Sequence, residues 1–256
     1  MLTKLNTYFW YFYEYMKHGD FLSVYASVKY LILKKSHNKD RIIQTSVGKF
    51  FCRRNTNDFQ FANFRYEWGV KKFILDRIRE YSVFIDSGSC VGDYSILLSK
   101  YDIRCIAFEP LPNNYEVLVK NLQMNNLINR VITIPAALGN ENKLVRFQFN
   151  QVNTGASCID KENKPDSFAV ELRTFDSLLT KFSIDKDDHI LFKLDVEGME
   201  SEALQGSANF ISQYPNITFI IEDKFTEMAK IKPILNELGT FEYGMVDKYN
   251  MYARKI

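Results

Sequence analysis

From residue 83 to residue 222 the chain repeats one pattern: a short apolar run ends in a small or acidic residue, and a helix-like stretch precedes the next run. The runs cover 83–86, 104–109, 131–137, 190–195 and 217–222. Short runs that are apolar on both faces suit strands covered by helices on both sides, so the pattern predicts βαβ units and a parallel sheet. In an open sheet of this kind ligands bind where the strands end and the loops splay apart. Asp86, Glu109, Asp195 and Glu222 stand at such ends, while Ala136 and Ala137 close the third run and leave room for a flat ring. Residues 241–246 and 250–254 pattern as a final antiparallel pair, giving an expected α/β sheet of seven strands. The alternating segments 143–149 and 168–173 predict an accessory hairpin over the crevice, with 153–157 as an acceptor-side loop.

The loop after the first run narrows the choice of ligand. Asp86-x-Gly88-x-x-x-Gly92 resembles a dinucleotide turn, but a carboxylate replaces the first glycine and would repel a pyrophosphate. NAD and ATP are therefore disfavoured, and a cationic or hydroxyl-bearing ligand is favoured. Gly88 and Gly92 let the backbone approach such a ligand, and Glu109 can accept both hydroxyls of a ribose. One βαβ step from Asp86 to Glu109 points to an adenosine that carries a positive centre.

Residues 83–137 resemble the S-adenosylmethionine site of class I methyltransferases, and roughly 43–255 resemble the FkbM family. Phe192-Lys-Leu-Asp-Val-Glu-Gly-Met-Glu200, with Ala203-Leu204 and Gly206 behind it, is similar to that family's K-x-D-V-E-G-x-E-x-x-x-L-x-G block. Arg53-x-x-Thr56-x-Asp58, Glu67, Arg173-Thr-Phe-Asp-Ser-Leu178 and Asn153-Thr-Gly-Ala-Ser157 resemble its other segments, in the same order. Where the family has D-V-G-A-N-x-G, this chain has Asp86-Ser-Gly-Ser-Cys-Val-Gly92, so Cys90 replaces an asparagine and reads as a small packed residue rather than a nucleophile. The resemblance implies a class I methyltransferase (Rossmann-like) sheet with an N-terminal helical and short β extension. It also implies S-adenosylmethionine as cofactor and methyl transfer to a hydroxyl of a sugar, glycan or natural-product scaffold.

Carried onto this sequence, the expected cofactor residues are Glu67, Asp86, Gly88, Ser89, Gly92, Glu109, Pro110, Ala136, Ala137 and Asp195. Asp195 is the expected base or acceptor-orienting group, supported by Glu222. Lys193 shares its strand face by alternation and needs a carboxylate partner there. Glu197 is open between a site role and a helix cap, and His189 at the opposite strand end reads as structural. No metal site is expected, and Asp195-Val-Glu197 is the nearest approach to one. Two other classes remain open: a non-catalytic adenosine-binding interaction module and a nucleotide-sugar transferase.

Residues 1–54 carry ten Lys or Arg against three Asp or Glu, while the remainder carries 23 against 28. A negative catalytic part has the wrong sign for a phosphate backbone, so nucleic acid is not expected as a partner. The basic part holds seven aromatics in the eight positions from Tyr8 to Tyr15, followed by an apolar stretch to Leu33. This segment, 1–40 ahead of a domain over 41–256, is read in two ways: a helical layer packed on the domain, or a helical contact with an anionic membrane surface. Strands are expected at 41–47 and 49–53, joined at Gly48, with Asp58 capping a long helix through Trp68, Phe73 and Ile78. No run reaches the roughly 20 apolar residues of a membrane span, and no secretory signal is patterned. Four scattered cysteines read as free thiols in a reducing, cytoplasmic setting, with peripheral contact at the inner membrane face.

Overall fold

The helices α1 (Leu2–Lys17) and α2 (Phe21–Leu33) open the chain, joined at Gly19 with φ 72°. The Asp20 carboxylate caps α2 by accepting the Ser23 N–H and is itself held by Arg41 at 2.7 Å. Strands β1 (Arg41–Gln44) and β2 (Lys49–Cys52) form the antiparallel extension, with the turn at 45–48. These strands are shorter than the expected runs, because Thr45 folds back on the N–H groups of Val47 and Gly48. The computed structural model describes residues 2–156, 158–160, 164, 167–222 and 228–256.

The long helix expected after Asp58 is instead two helices, α3 (Asp58–Phe61) and α4 (Trp68–Leu75), and a separate short turn of 3₁₀ helix at Ile78–Glu80. Asn63 explains the break: its side-chain oxygen accepts the Arg65 N–H and its amide reaches the Tyr11 carbonyl, which competes with helical bonding. Asp58 is not the cap either. Asn57 occupies that position, and the Asp58 carboxylate turns to Arg53.

The main sheet is assembled from β3 (Val83–Ser87), α5 (Asp93–Leu98), β4 (Arg104–Phe108), α6 (Pro112–Met124) and β5 (Val131–Ile134) in its first half. Past β5 the chain leaves this sheet. Pro135, without an N–H to continue a ladder, separates β5 from β6 (Ala136–Leu138), which joins β7 (Lys143–Gln148), β8 (Cys158–Ile159) and β9 (Phe168–Arg173). The expected hairpin is thus part of a four-stranded sheet in the order β6-β9-β7-β8. Ser157 of the predicted loop lies outside the described residues.

After α7 (Phe175–Leu178) the main sheet resumes with β10 (Ile190–Leu194), the helices α8 (Glu200–Gln205) and α9 (Ala208–Gln213), and β11 (Ile217–Glu222). It ends with α10 (Met228–Leu238), β12 (Phe241–Met245) and β13 (Asn250–Lys255). Its seven strands run β12-β13-β11-β10-β3-β4-β5, with β13 antiparallel to both neighbours and the five from β11 to β5 parallel. Both faces are covered, as apolar strands require. Phe84, Ala107, Leu191 and Ile220 pack toward α4, α5 and α6, whereas Ile85, Phe108, Phe192 and Phe219 pack with Phe175 and Phe210 on the other side. Among the described residues no helix is long and apolar enough to cross a membrane.

Gly206, the last glycine of the block that begins at Lys193, sits between α8 and α9, where a Cβ would lie 1.9 Å from the Gly139 carbonyl oxygen. Gly206→Ala should therefore destabilise the fold by about 1–3 kcal/mol, the usual cost of overpacking, as a lower urea midpoint with an unchanged slope. An unchanged midpoint would contradict this close approach.

Candidate active site

Residues two apart on a strand share a face, and parallel strands in register bring such faces together. Asp86 on β3 is the register partner of Lys193 on β10, so both side chains lie on the α5 side of the sheet at its carboxyl edge. The Lys193 ammonium is buried and donates to the Asp195 carboxylate at 2.6 Å. Burial alone would depress this lysine, but Asp195, Glu67 and Asp86 together hold it above the usual range and keep it charged. Glu67 precedes α4 with φ 49° and accepts the Tyr94 hydroxyl at 2.8 Å. A second buried lysine, Lys71, lies 2.9 Å from Asp93 and 5.0 Å from the Tyr94 ring centre. Two lysines thus face four carboxylates, and the surplus is negative.

The loop after β3 explains its glycines. Gly88 takes φ 91°, and a Cβ there would fall 1.9 Å from the Asp195 carbonyl oxygen. Cys90 stands in the left-handed region at φ 46°, a conformation asparagine tolerates well, and donates its N–H to Glu109 at 2.9 Å. Its thiol is buried beside Thr154, and burial raises it well above the ordinary thiol range, which suits packing rather than nucleophilic attack. The other Glu109 oxygen accepts the Leu111 N–H at 2.9 Å, so the carboxylate is fixed at the end of β4.

Burial pushes the Asp86 carboxyl up to about 7, against the pull of Lys193. It also pushes Glu109 up to about 7, despite the N–H groups of Leu111 and Cys90.

One cavity runs along this edge of the sheet. Of the expected positions, Glu67, Asp86, Gly88, Ser89, Glu109, Pro110, Ala136, Ala137, Lys193, Asp195 and Glu222 all border it. Gly92 does not. It precedes α5 with φ 84° and lets α6 approach, a Cβ there meeting Leu118 at 2.4 Å. Asp195, Glu197 and Glu222 are half-buried and bring carboxylate oxygens within 4.8 Å of one another, a spacing that can orient a hydroxyl or hold a divalent cation. The turn that leads from β10 into α8 is held by Glu200, whose Oε1 accepts the N–H groups of Val196 and Gly198.

Sequence reasoning did not single out Tyr66, Asp93, Tyr94 or Asn114, which also border the cavity. Nor did it give Arg53 a role, and it read Asp58 only as a helix cap. The Arg53 guanidinium grips Asp58 at 2.8 and 2.9 Å and reaches Asn114 at 2.9 Å, while Asp58 accepts the Thr154 hydroxyl at 3.0 Å. This clasp joins the β1–β2 extension to α6 and to the 153–155 loop. A signal did exist, because Arg53, Asp58 and Thr154 all belong to segments resembling family motifs.

The sequence profile of the methyltransferase FkbM domain matches residues 86–244. The chain belongs to the FkbM methyltransferase family. A methyltransferase FkbM from Methylobacillus flagellatus shares 16% identity over 68% of this chain and 44% of that one, with a TM-score of 0.49. The present chain therefore spans less than half the length of that relative. An S-adenosylmethionine-dependent methyltransferase from Agrobacterium tumefaciens shares 8% identity over 87% of this chain and 72% of its own, with a TM-score of 0.50, a likeness of fold alone. No curated protein matches the chain.

Methyltransferases of the FkbM family are S-adenosylmethionine-dependent, which sets aside the nucleotide-sugar transferase reading. The donor set fits that cofactor: a negative surplus faces a sulfonium and an ammonium, Glu109 can accept from ribose hydroxyls, and the buried Ala136 and Ala137 leave space for a ring.

In the folded FkbM domain burial keeps Asp86 and Glu109 protonated up to about pH 7, whereas in the unfolded chain they ionise near 3.8 and 4.5. The folded state binds the extra protons in that window, so this contribution to stability falls as pH rises from about 4 to about 7. A cationic, hydroxyl-bearing ligand favours the ionised forms. S-adenosylmethionine binding at about pH 6 should accordingly release protons, and affinity should rise toward about pH 8. Calorimetry in buffers of different ionisation heat measures the release, and buffer-independent enthalpies at about pH 6 would contradict the assignment.

Proposed function

We propose that this protein transfers the methyl group of S-adenosylmethionine to the oxygen of a hydroxyl on a sugar, glycan or natural-product scaffold. S-adenosylmethionine supplies a methyl carbon already activated by its sulfonium, so the protein's own residues must bind it, align an acceptor and take the acceptor's proton. The observation that carries the reading is the Asp195 carboxylate, anchored by Lys193 at 2.6 Å and grouped with Glu197 and Glu222 beyond Asp86 and Glu109. Lys193 fixes the position of the Asp195 carboxylate, and the carboxylates beside it orient the hydroxyl. An oxygen acceptor has a proton to lose, which gives such a cluster work that a bare binding module would not have.

The acceptor reading excludes nucleic acid on the negative charge of the part beyond residue 54. The free, buried thiols of Cys52, Cys90 and Cys105 support a reducing, cytoplasmic setting. The spacing of Asp195, Glu197 and Glu222 supports a second reading, in which these three carboxylates would hold a divalent cation that would serve as a Lewis acid toward the hydroxyl.

Substitutions at two positions separate cofactor binding from chemistry. Glu109→Ala should weaken S-adenosylmethionine binding by about 1.5–3 kcal/mol by calorimetry, and Glu109→Gln, which keeps one carbonyl acceptor, should lose less. Unchanged affinity in both would remove Glu109 from the cofactor site.

Asp195→Asn should leave cofactor affinity within a few-fold and lower turnover by about 10²–10⁴, measured with a hydroxyl acceptor by tritiated methyl transfer. Turnover that a chelator abolishes and Mg²⁺ restores would favour the cation-bridged reading instead.

A further inference from the structure

Of the large apolar side chains exposed on the described residues, twelve of twenty lie between Tyr8 and Leu33. They are not scattered. On α2, Phe21, Tyr25, Val28 and Ile32 follow one another at helical spacing and face outward, while Ser23, Ala26 and Ser27 form the buried side. The helix is amphipathic in the inverted sense, with small and hydroxyl residues inward and bulky apolar residues outward. Ile32 is 74% exposed, Phe21 67% and Tyr25 65%, which would be a costly choice if water were their neighbour.

Its neighbour α1 is divided in a similar way. Tyr15 is buried and its hydroxyl donates to the Phe59 carbonyl, and Glu14 accepts the Ser46 N–H, so one side is used for packing. Phe9, Trp10, Tyr13 and Met16 remain exposed on the other. Both readings of the aromatic run are thus needed, since packing accounts for only half of it.

Charge identifies what the other half meets. The carboxylates of residues 2–39 are Glu14 and Asp20, and both are buried. The exposed charges of the described side chains in that range are Lys17, Lys34, Lys35 and Lys39, all positive. A twofold contact with a second copy would bring these lysines toward one another, and Asp40, the one exposed carboxylate among the described residues of the segment, already accepts the Arg54 N–H. Anionic headgroups complement them, and tyrosine and tryptophan rings suit the headgroup level of a bilayer. The helices have 16 and 13 residues, too short to span but long enough to lie in the interface.

We propose that the outward faces of α1 and α2 are a docking surface for an anionic lipid bilayer. The docked face is tied to the cavity through Tyr30 of α2, whose hydroxyl donates to the Val152 carbonyl at 3.2 Å, next to the Asn153–Gly155 segment that borders the cavity. Membrane contact therefore bears on the loop beside the acceptor side.

Flotation of the full chain with vesicles tests this independently of any enzymatic activity. The protein should float at low salt with phosphatidylcholine vesicles containing about one-third phosphatidylglycerol and should remain at the bottom with pure phosphatidylcholine. Replacing Lys34, Lys35 and Lys39 by Gln should lower the partition coefficient by about 10²-fold, at roughly fivefold for each lysine near an anionic surface. Replacing Phe21, Tyr25 and Ile32 by Ser, all exposed and so harmless to the core, should also remove binding. Failure of the wild type to float, or flotation indifferent to both sets of changes, overturns the proposal. So does a dimer of the wild type in light scattering that the serine variant splits, which would assign the face to a second copy.

Discussion

Acidic side chains gathered at one edge of a parallel sheet are tolerable in a buried cavity only if a cation stands among them, and Lys193 is that cation. It lies in register beside Asp86, bonds Asp195 directly and balances Glu67 across the cavity. The ammonium cannot move far, because β10 lies between β11 and β3 among the five parallel strands and is paired on both sides. Asp195 inherits that rigidity, and Gly88 is required where the Asp195 carbonyl passes close to the loop after β3. The Asp86 and Asp195 sides of the cavity are therefore positioned by the same strand end. The incomplete neutralisation is equally informative. Burial makes Asp86 and Glu109 resist ionisation, and a cationic ligand would favour their charged forms.

A second arrangement holds the wall of the cavity. The ion pair of Arg53 and Asp58 is largely buried and is shared with Asn114, Thr154 and the Asn113 carbonyl. Because its members come from the β1–β2 extension, α3, α6 and the 150–155 loop, the extension is part of the site's scaffold. Asn57 strengthens the same junction by accepting the Thr154 N–H and donating to Asn153. The N-terminal helices rest on this layer through Tyr15 and Phe59. A continuous path of packed groups thus runs from α1 and α2 to the loop that borders the acceptor side.

Much of this was legible without coordinates. Apolar runs ending in Asp86, Glu109, Asp195 and Glu222 dictate a doubly covered parallel sheet, because such runs cannot leave either face in water. The two-residue spacing of Lys193 and Asp195 puts both on one strand face, and Asp86 in place of a glycine disfavours a pyrophosphate. Those inferences rest on periodicity and on the chemistry of single side chains, which the order of residues carries directly.

What the order of residues does not carry is proximity between distant segments. The pairing of Tyr94 with Glu67, the clasp of Arg53 and Asp58 on Thr154, and the grouping of Glu222 with Asp195 and Glu197 exist only once loops of different elements meet. The helix expected from Asp58 onward failed for the same reason, since apolar periodicity cannot register that Asn63 bonds the backbone of α1. The departure of β6 into a second sheet turns on Pro135 and on a partner strand more than thirty residues later. Apolar content left open whether α2 packs on the domain or meets another surface, and tertiary packing buried Ser23, Ala26 and Ser27 and left the bulky side chains outward. Composition determined that the helix would be amphipathic and basic, and only the fold decided which side would be left outward, because burial depends on what lies opposite.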